Sequence, residues 1–286
     1  GTVIFDPRAP NVAREISLGA GIPQDIPAFT VTMACISANV AATNATDAIR
    51  LGNVELAIAG GTDTCSDPPI RLSKNLRQAL VKTQKAKGPA DYFKILSGLG
   101  PKDILPDIPA ATEFSTGLTM GQSCERAAKA WGVTRDETDA YAAMSHQRAV
   151  AAWKEGVYAD EVVTVHVPPS FKSVTEDNGP RGDTTPETLA KLRPAFDRQF
   201  GVSTAGNSSF LTDGATAVLF ASENKAISLG LKPKAIVVDQ VYTGADPLEE
   251  LLMGPAMSIP KLLQRNNLKV EDIDVWEIHE AFAAQM

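Results

Sequence analysis

Cysteine is scarce in this 286-residue sequence: Cys35, Cys65 and Cys124 are the only three. They lie far apart and are odd in number, which excludes a disulfide framework, and they form no metal-ligand spacing. Long apolar runs are missing too. None approaches the roughly 18 residues that a membrane-crossing helix needs, and the start carries no basic, apolar and cleavage-site sequence that directs secretion. Basic charge is in the minority, with 27 Lys and Arg against 34 Asp and Glu and a net charge of −7. That balance argues against general nucleic-acid binding, which needs cations to displace the counterions of phosphate. These absences point to a reducing, intracellular compartment.

What is present is an ordinary globular composition, 44% hydrophobic and 21% charged, which excludes disorder as a description of the whole chain. At roughly 150 residues per domain, the length suggests two domains, each able to bury a core without staples. The sequence opens on Gly1-Thr2-Val3-Ile4-Phe5 without an initiator Met and stops at Ala283-Ala284-Gln285-Met286, inside an apolar helical pattern. Both ends therefore read as those of a fragment.

The first part alternates strand and helix. Residues 28–33 alternate like a strand, residues 37–51 are Ala-rich with Gly52 in the place of a helix C-cap, and residues 54–59 read as a strand ended by Gly60-Gly61. Strand, helix and strand predict a βαβ unit and a mainly parallel sheet. The small residues all round the helix predict that it is central and packed on every side. Two helices follow, from about Thr119 to Trp131, and from a Thr134-x-x-Glu137 capping box to before Gly156. Residues 170–194, rich in Pro, Gly, Asp and Thr, read as loops. Residues 217–220 and 235–241 read as strands, 223–229 and 260–267 as helices, and 275–278 as a last strand. The pattern is αβ, a helical and loop-rich insertion, then αβ again.

Charge is distributed unevenly. Residues 71–102 hold eight basic side chains against the single acid Asp91, a net +7 that leaves −14 for the rest of the chain. With Tyr92, Phe93, Ile95 and Leu96 among its lysines, this window suits an anionic membrane surface, an acidic partner subunit or the steering of an acidic ligand. A solvated insertion without a role is the plain alternative.

Cys35 is the most informative residue. It falls where the first strand ends and the Ala-rich helix begins, so unpaired N–H groups and the helix dipole favour a thiolate nucleophile and can hold an oxyanion; the alternative is a small core residue. His279 follows the last strand at the carboxyl edge where open α/β sheets keep their sites, or else it caps a helix on the surface. The stretch Thr204-Ala205-Gly206-Asn207-Ser208-Ser209, running on to Thr212-Asp213-Gly214, lets a ligand lie against the backbone or makes an ordinary turn. The glycine fingerprint of dinucleotide sites, the Walker A sequence, zinc-spaced histidines and the Gly-x-Ser-x-Gly elbow are all absent.

At these residues the sequence resembles the thiolase family. Val31-Thr32-Met33-Ala34-Cys35-Ile36-Ser37-Ala38-Asn39 is similar to the family's nucleophile segment, residues 204–215 to its coenzyme A-binding segment, and His279-Glu280-Ala281-Phe282 to its Asn-Glu-Ala-Phe block. Residues 59–63 and 191–196 support the match, which runs the length of the chain in the family's order. Thr-Met-Ala-Cys-Ile-Ser-Ala-Asn, the His before Glu-Ala-Phe, and Glu113-Phe114-Ser115-Thr116 leading to Met120-Gly121 resemble the beta-subunit branch found in fatty-acid-oxidation trifunctional complexes.

The resemblance implies an α/β fold of five α-β-α-β-α layers. Residues 1–70, continued at 205–222, would form the N-terminal domain, 71–204 an inserted loop domain, and 223–286 the start of the C-terminal domain. It implies a 3-ketoacyl-CoA substrate, cleaved with coenzyme A as co-substrate and with no permanently bound cofactor. Cys35 would be the nucleophile and His279 would hold, through water, the thioester oxygen. Ser209, with Ala205 and Ser208 beside it, would contact the pantetheine, Arg181 would lie near the nucleotide end, and Met120 and Phe282 would line the pocket. Partners would be a second copy and a hydratase/dehydrogenase (alpha) subunit, with peripheral membrane contact through 71–102. The setting would be bacterial cytoplasm or mitochondrial matrix.

Two departures qualify that picture. Thr119 stands where many biosynthetic members have His, which suggests room for longer acyl chains. The sequence also stops before the family's Gly-His-Pro and Cys-x-Gly blocks, which supply the activating histidine and the proton-shuttling cysteine, so residues 1–286 alone are expected to turn over little. A condensing synthase using the same Cys and a non-catalytic scaffold subunit are the competing readings.

Overall fold

The computed structural model describes residues 1–4, 6–107 and 112–286. In chain order, helix α1 spans Val12–Gly19, α2 Ser37–Arg50, strand β1 Leu56–Asp63 and β2 Arg71–Leu72. Helices α3 (Lys74–Thr83), α4 (Pro89–Leu96) and α5 (Pro101–Ile104) precede β3 (Pro106–Asp107). Then come α6 (Met120–Trp131), α7 (Arg135–Lys154), β4 (Val165–Val167), β5 (Lys172–Val174) and α8 (Pro186–Leu189). The chain continues with β6 (Gly214–Ala221), α9 (Glu223–Ser228) and α10 (Gly254–Arg265). These elements form two compact units, Gly1–Ala110 with Leu211–Val238, and Ala111–Phe210 with Asp239–Met286.

In the first unit α2 lies on a two-stranded ribbon in which β1 and β6 pair antiparallel over their full length, Ile58 opposite Leu219 and Gly60 opposite Ala217. Gly61 permits that packing, because a Cβ there would meet the Ala38 Cβ at 2.9 Å. The helix ends as its sequence predicts. Gly52 takes φ +72, its N–H bonds the Ile49 carbonyl and the Asn53 N–H bonds the Ala48 carbonyl, a pair of bonds that only a left-handed C′ residue allows without strain. Helix α2 is half-buried along most of its length rather than packed on every side, because the ribbon covers one face only.

Three expected strands do not form, and for a shared reason. An extended apolar segment becomes a strand only where it has a ladder to join. Residues 28–33 join no named strand: the Thr2 N–H donates to the Val31 carbonyl, and an isolated bridge links Met33 and Cys35. The 235–241 segment stays extended, with the Val237 and Val238 carbonyls taken by the Arg50 guanidinium. The 275–278 segment is extended and joins no ladder. The expected parallel pairing is accordingly replaced, among the described residues, by three antiparallel two-stranded sheets. At Gly1 the amine donates to the Gly60 carbonyl while the Thr62 N–H donates to the Gly1 carbonyl. Strand β1 also runs through Gly60-Gly61 instead of ending there.

The second unit is built on α6 and α7, whose boundaries follow their capping residues. Thr119 and Gln122 exchange hydrogen bonds, as do Thr134 and Glu137, and Gly132 closes α6 at φ +68. Its core is small. Cys124, Leu252 and Phe282 form one cluster and Ala142, Ala143 and Leu189 another, with Phe196 edge-on to Phe282 at 6.0 Å. The hairpin of β4 and β5 and the helices α3, α4 and α5 were not legible in the sequence. Helix α10 starts six residues earlier than its periodicity suggests, at Gly254, and carries Pro260 in its interior. Among the described residues no helix is long and apolar enough to cross a membrane.

Candidate active site

Cys35 is exposed and sits on a tight turn directly before α2. Ala34 adopts φ +46, a left-handed conformation that costs a non-glycine residue roughly 1–2 kcal/mol. Ser37, only 3% exposed, holds it there: its Oγ accepts from the Met33 N–H at 2.8 Å and donates to the Ala34 carbonyl at 2.6 Å. Backbone bonds from Ile36 to Met33 and from Ser37 to Ala34 close the same turn. Helix α2 has no side-chain cap, and its N-terminal end lies beside the cysteine, where the helix dipole favours a developing negative charge.

A cavity of about 270 Å³ opens against this turn, lined among others by Cys35, Ser37, Thr62, Asp63, Thr212 and Thr216. One wall is fixed by Asp63, whose Oδ1 accepts from the Thr2 hydroxyl and from the Val3 and Ile4 N–H groups at 3.0, 2.8 and 2.7 Å. Opposite, Ser66 donates its N–H and hydroxyl to Asp213. Burial, with Asp63 and Asp213 nearby, pushes the Cys65 thiol up. Cys124 is buried, and that burial pushes its thiol up to about 11. Of the three cysteines, then, the exposed one is on the strained turn, and the other two lie where the thiol form is favoured. The volume suits the reactive end of a ligand, since whole small-molecule sites hold roughly 300–1,000 Å³.

In the second unit the 204–209 loop and the 279–283 segment are joined directly. The Ser209 N–H donates to the Ala281 carbonyl at 2.8 Å, the Ala283 N–H donates to the Asn207 carbonyl at 3.0 Å, and Ser208 bridges Phe282. Beneath them is a polar core. The Asn207 carboxamide accepts from the Thr204 N–H at 2.6 Å and donates to Asp139 Oδ1 at 2.8 Å and to the Val202 carbonyl at 2.9 Å. Asp139 also receives Arg135 Nε at 2.7 Å. Glu125 accepts the Val202 and Ser203 N–H groups. Buried polar groups left without such partners would cost about 1–3 kcal/mol each, so this network defines the loop's path.

The expected contact residues are distributed around it. Ala205 and Ser209 are exposed on the loop, and the Ser208 hydroxyl is buried without a hydrogen-bond partner. His279 is exposed beside the joined segment, in the extended stretch rather than at a strand end. Phe282, 7% exposed, packs among Phe196, Cys124 and Leu252. Met120 is the first residue of α6, after the capping Thr119. Arg181 donates its backbone N–H to His146 Nδ1 at 3.2 Å. Burial and then the Arg181 charge hold the His146 imidazole below its ordinary range, with Asp183 and Glu280 acting the other way. Sequence reading passed over Ser37, Asp63, Asn207 and Asp139. Ser37 had a signal, a hydroxyl two residues beyond Cys35 at a helix start, whereas nothing links Asp139 to Asn207 before the chain folds.

Comparisons with known proteins identify the family. The thiolase N-terminal domain model matches residues 1–224 and the thiolase C-terminal domain model residues 231–286. A 3-ketoacyl-CoA thiolase of Pectobacterium carotovorum is 46% identical over 100% of the chain and 65% of its own length. The mitochondrial trifunctional enzyme subunit beta of Bos taurus is 46% identical over 100% of the chain and 60% of its own. The chain thus spans somewhat less than two thirds of these relatives. Among solved structures, the Bacillus anthracis acetyl-CoA acetyltransferase superposes with a TM-score of 0.83 at 32% identity, covering 100% of the chain and 68% of that structure. The Ascaris suum thiolase Acat5 in complex with coenzyme A gives 0.83 at 29% identity, covering 100% and 69%. The chain has the thiolase α/β fold and belongs to the thiolase family.

Proposed function

We propose that the protein is a 3-ketoacyl-CoA thiolase, which uses coenzyme A to split a 3-ketoacyl-CoA into acetyl-CoA and a shortened acyl-CoA. The carrying observation is Cys35, exposed on a strained turn at an uncapped helix start and opening onto a cavity. The Cys35 thiolate adds to the 3-keto carbon, giving an alkoxide. Collapse of that alkoxide breaks the C2–C3 bond, leaves the acyl group as a thioester on Cys35 and releases the acetyl-CoA enolate, which takes a proton at C2. The thiolate of free coenzyme A then takes the acyl group and frees Cys35. His279 would hold, through water, the thioester oxygen that becomes negative in the enolate. Ser209, Ala205 and Ser208 would contact the pantetheine, Arg181 the nucleotide end, and Met120 and Phe282 the acyl end. The Gly-His-Pro and Cys-x-Gly blocks to which the family's proton transfers belong are not within residues 1–286.

The name of the bacterial relative supports the substrate class, and the reading includes a place in fatty-acid oxidation. The bovine name supports an alpha partner subunit. The same reading includes a homodimer, an intracellular setting in bacterial cytoplasm or mitochondrial matrix, and the division into residues 1–70 with 205–222, 71–204 and 223–286. It also includes peripheral membrane contact through 71–102, supported by exposed Val81, Tyr92 and Phe93 on α3 and α4 among the lysines. Co-sedimentation with anionic vesicles that is unchanged by reversing the charges of Lys82, Lys85 and Lys87 would remove the membrane contact. The activity is tested by following acetyl-CoA release from a 3-ketoacyl-CoA with the full-length protein, where turnover lost in Cys35→Ala supports the reading and turnover retained there overturns it.

A further inference from the structure

Glu280 follows His279, and the α7 helix holds its carboxylate by both oxygens. The Tyr141 hydroxyl donates to Oε1 at 2.8 Å and the Ser145 hydroxyl to Oε2 at 2.5 Å. Positions 141 and 145 are four apart, so both hydroxyls project from one face of the helix. That helix is 20 residues long and capped at its start by Thr134 and Glu137, a rigid base for a precise contact. Burial, together with the neighbouring Glu280, pushes the Tyr141 phenol up to about 12, so it stays a donor at neutral pH.

Two neutral donors on an exposed carboxylate add little to stability, because water competes for both oxygens. Their consequence is positional. Residues 281–283 are already fixed by the backbone bonds to Ser209 and Asn207. On the other side, residues 275–278 join no ladder. His279 stands between that fixed segment and residues 275–278, its carbonyl accepts from the Ala281 N–H at 3.0 Å, and the two-point hold on Glu280 is the side-chain anchor next to it.

We propose that Tyr141 and Ser145 are positioning residues, which orient His279 by holding the Glu280 carboxylate at both oxygens. The inference rests on the thiolase reading for its effect on rate. The hold itself is a property of the fold and is testable without turnover.

The test uses the full-length protein with Tyr141→Phe, Ser145→Ala, the double variant and Ser145→Thr. It measures kcat and KM for 3-ketoacyl-CoA cleavage and backbone amide exchange across residues 277–283. The double variant is expected to lose on the order of tenfold or more in kcat, since a 1 Å misplacement at a site costs about 10²-fold, with KM within about twofold. Ser145→Thr, which keeps the hydroxyl, is expected to retain most of the rate, and exchange at 277–280 is expected to quicken in the double variant. An unchanged kcat overturns the proposal. So does a Ser145→Thr loss equal to that of Ser145→Ala, or unchanged exchange. A wild-type protein that does not cleave the substrate overturns the thiolase reading alone, and the exchange result then decides the hold.

Discussion

Two regions, one in each compact unit, are held in opposite ways. The Cys35 turn is exposed, strained at Ala34 and latched by the side chain of Ser37. The 203–209 loop is held from below by a buried network in which Asn207, Asp139, Thr204 and Glu125 meet each other's hydrogen-bonding needs. A nucleophile has to be reached, so it cannot be enclosed by what fixes it, and a strained turn with small neighbours does the fixing instead. A binding loop gains from rigidity, because each bond formed with a ligand then costs less ordering entropy.

That contrast can be broken at either end. The largest effect is expected from Asn207→Leu, which takes the Asn207 donor from Asp139 Oδ1 and the acceptor from the buried Thr204 N–H. It should cost about 3 kcal/mol, read as a lower urea midpoint, while leaving alkylation of Cys35 in the folded protein unchanged. Ser37→Ala should cost less, about 1–2 kcal/mol for two lost hydrogen bonds, yet disturb the Cys35 turn more. The expected signature is a fall in thiolytic rate larger than the fall in stability accounts for. Ala34→Gly sharpens the point, since relieving φ +46 should stabilise the fold by about 1 kcal/mol without raising the rate.

Smaller effects separate the two regions by pH and by thiol chemistry. His146 binds its proton more weakly when folded, so protonation favours unfolding. The stability of the second unit should fall as pH drops below the ordinary imidazole value of 6.5, where the Arg181 N–H also loses its acceptor. His146→Gln should flatten that window when unfolding is followed from pH 7.5 to about 5.5. Limited iodoacetamide should label Cys35 first, Cys65 more slowly and Cys124 only on unfolding, in keeping with their exposure and the upward shifts of the last two.

Helix ends were the most legible part of the fold. Thr134 with Glu137, Gly52 and Gly132 each carry a local bond pattern that the sequence spells out. Strands were less so, because 28–33, 235–241 and 275–278 read as strands yet join no ladder among the described residues, and a local pattern says nothing about the partner strand. In the site, Cys35, the 204–209 loop and the 279–282 block stood out by residue type and order. The groups that fix them did not. Asp139 and Asn207 are 68 residues apart, and Tyr141 and Glu280 139 apart, so no local pattern marks them as partners.

The most direct test of the account is to incubate the full-length protein with a 3-ketoacyl-CoA in the absence of free coenzyme A and map the acyl adduct by peptide mass. An acyl group one acetyl unit shorter than the substrate, carried on Cys35, is the predicted result. No adduct, or an adduct on Cys65 or Cys124 with Cys35 free, would contradict it.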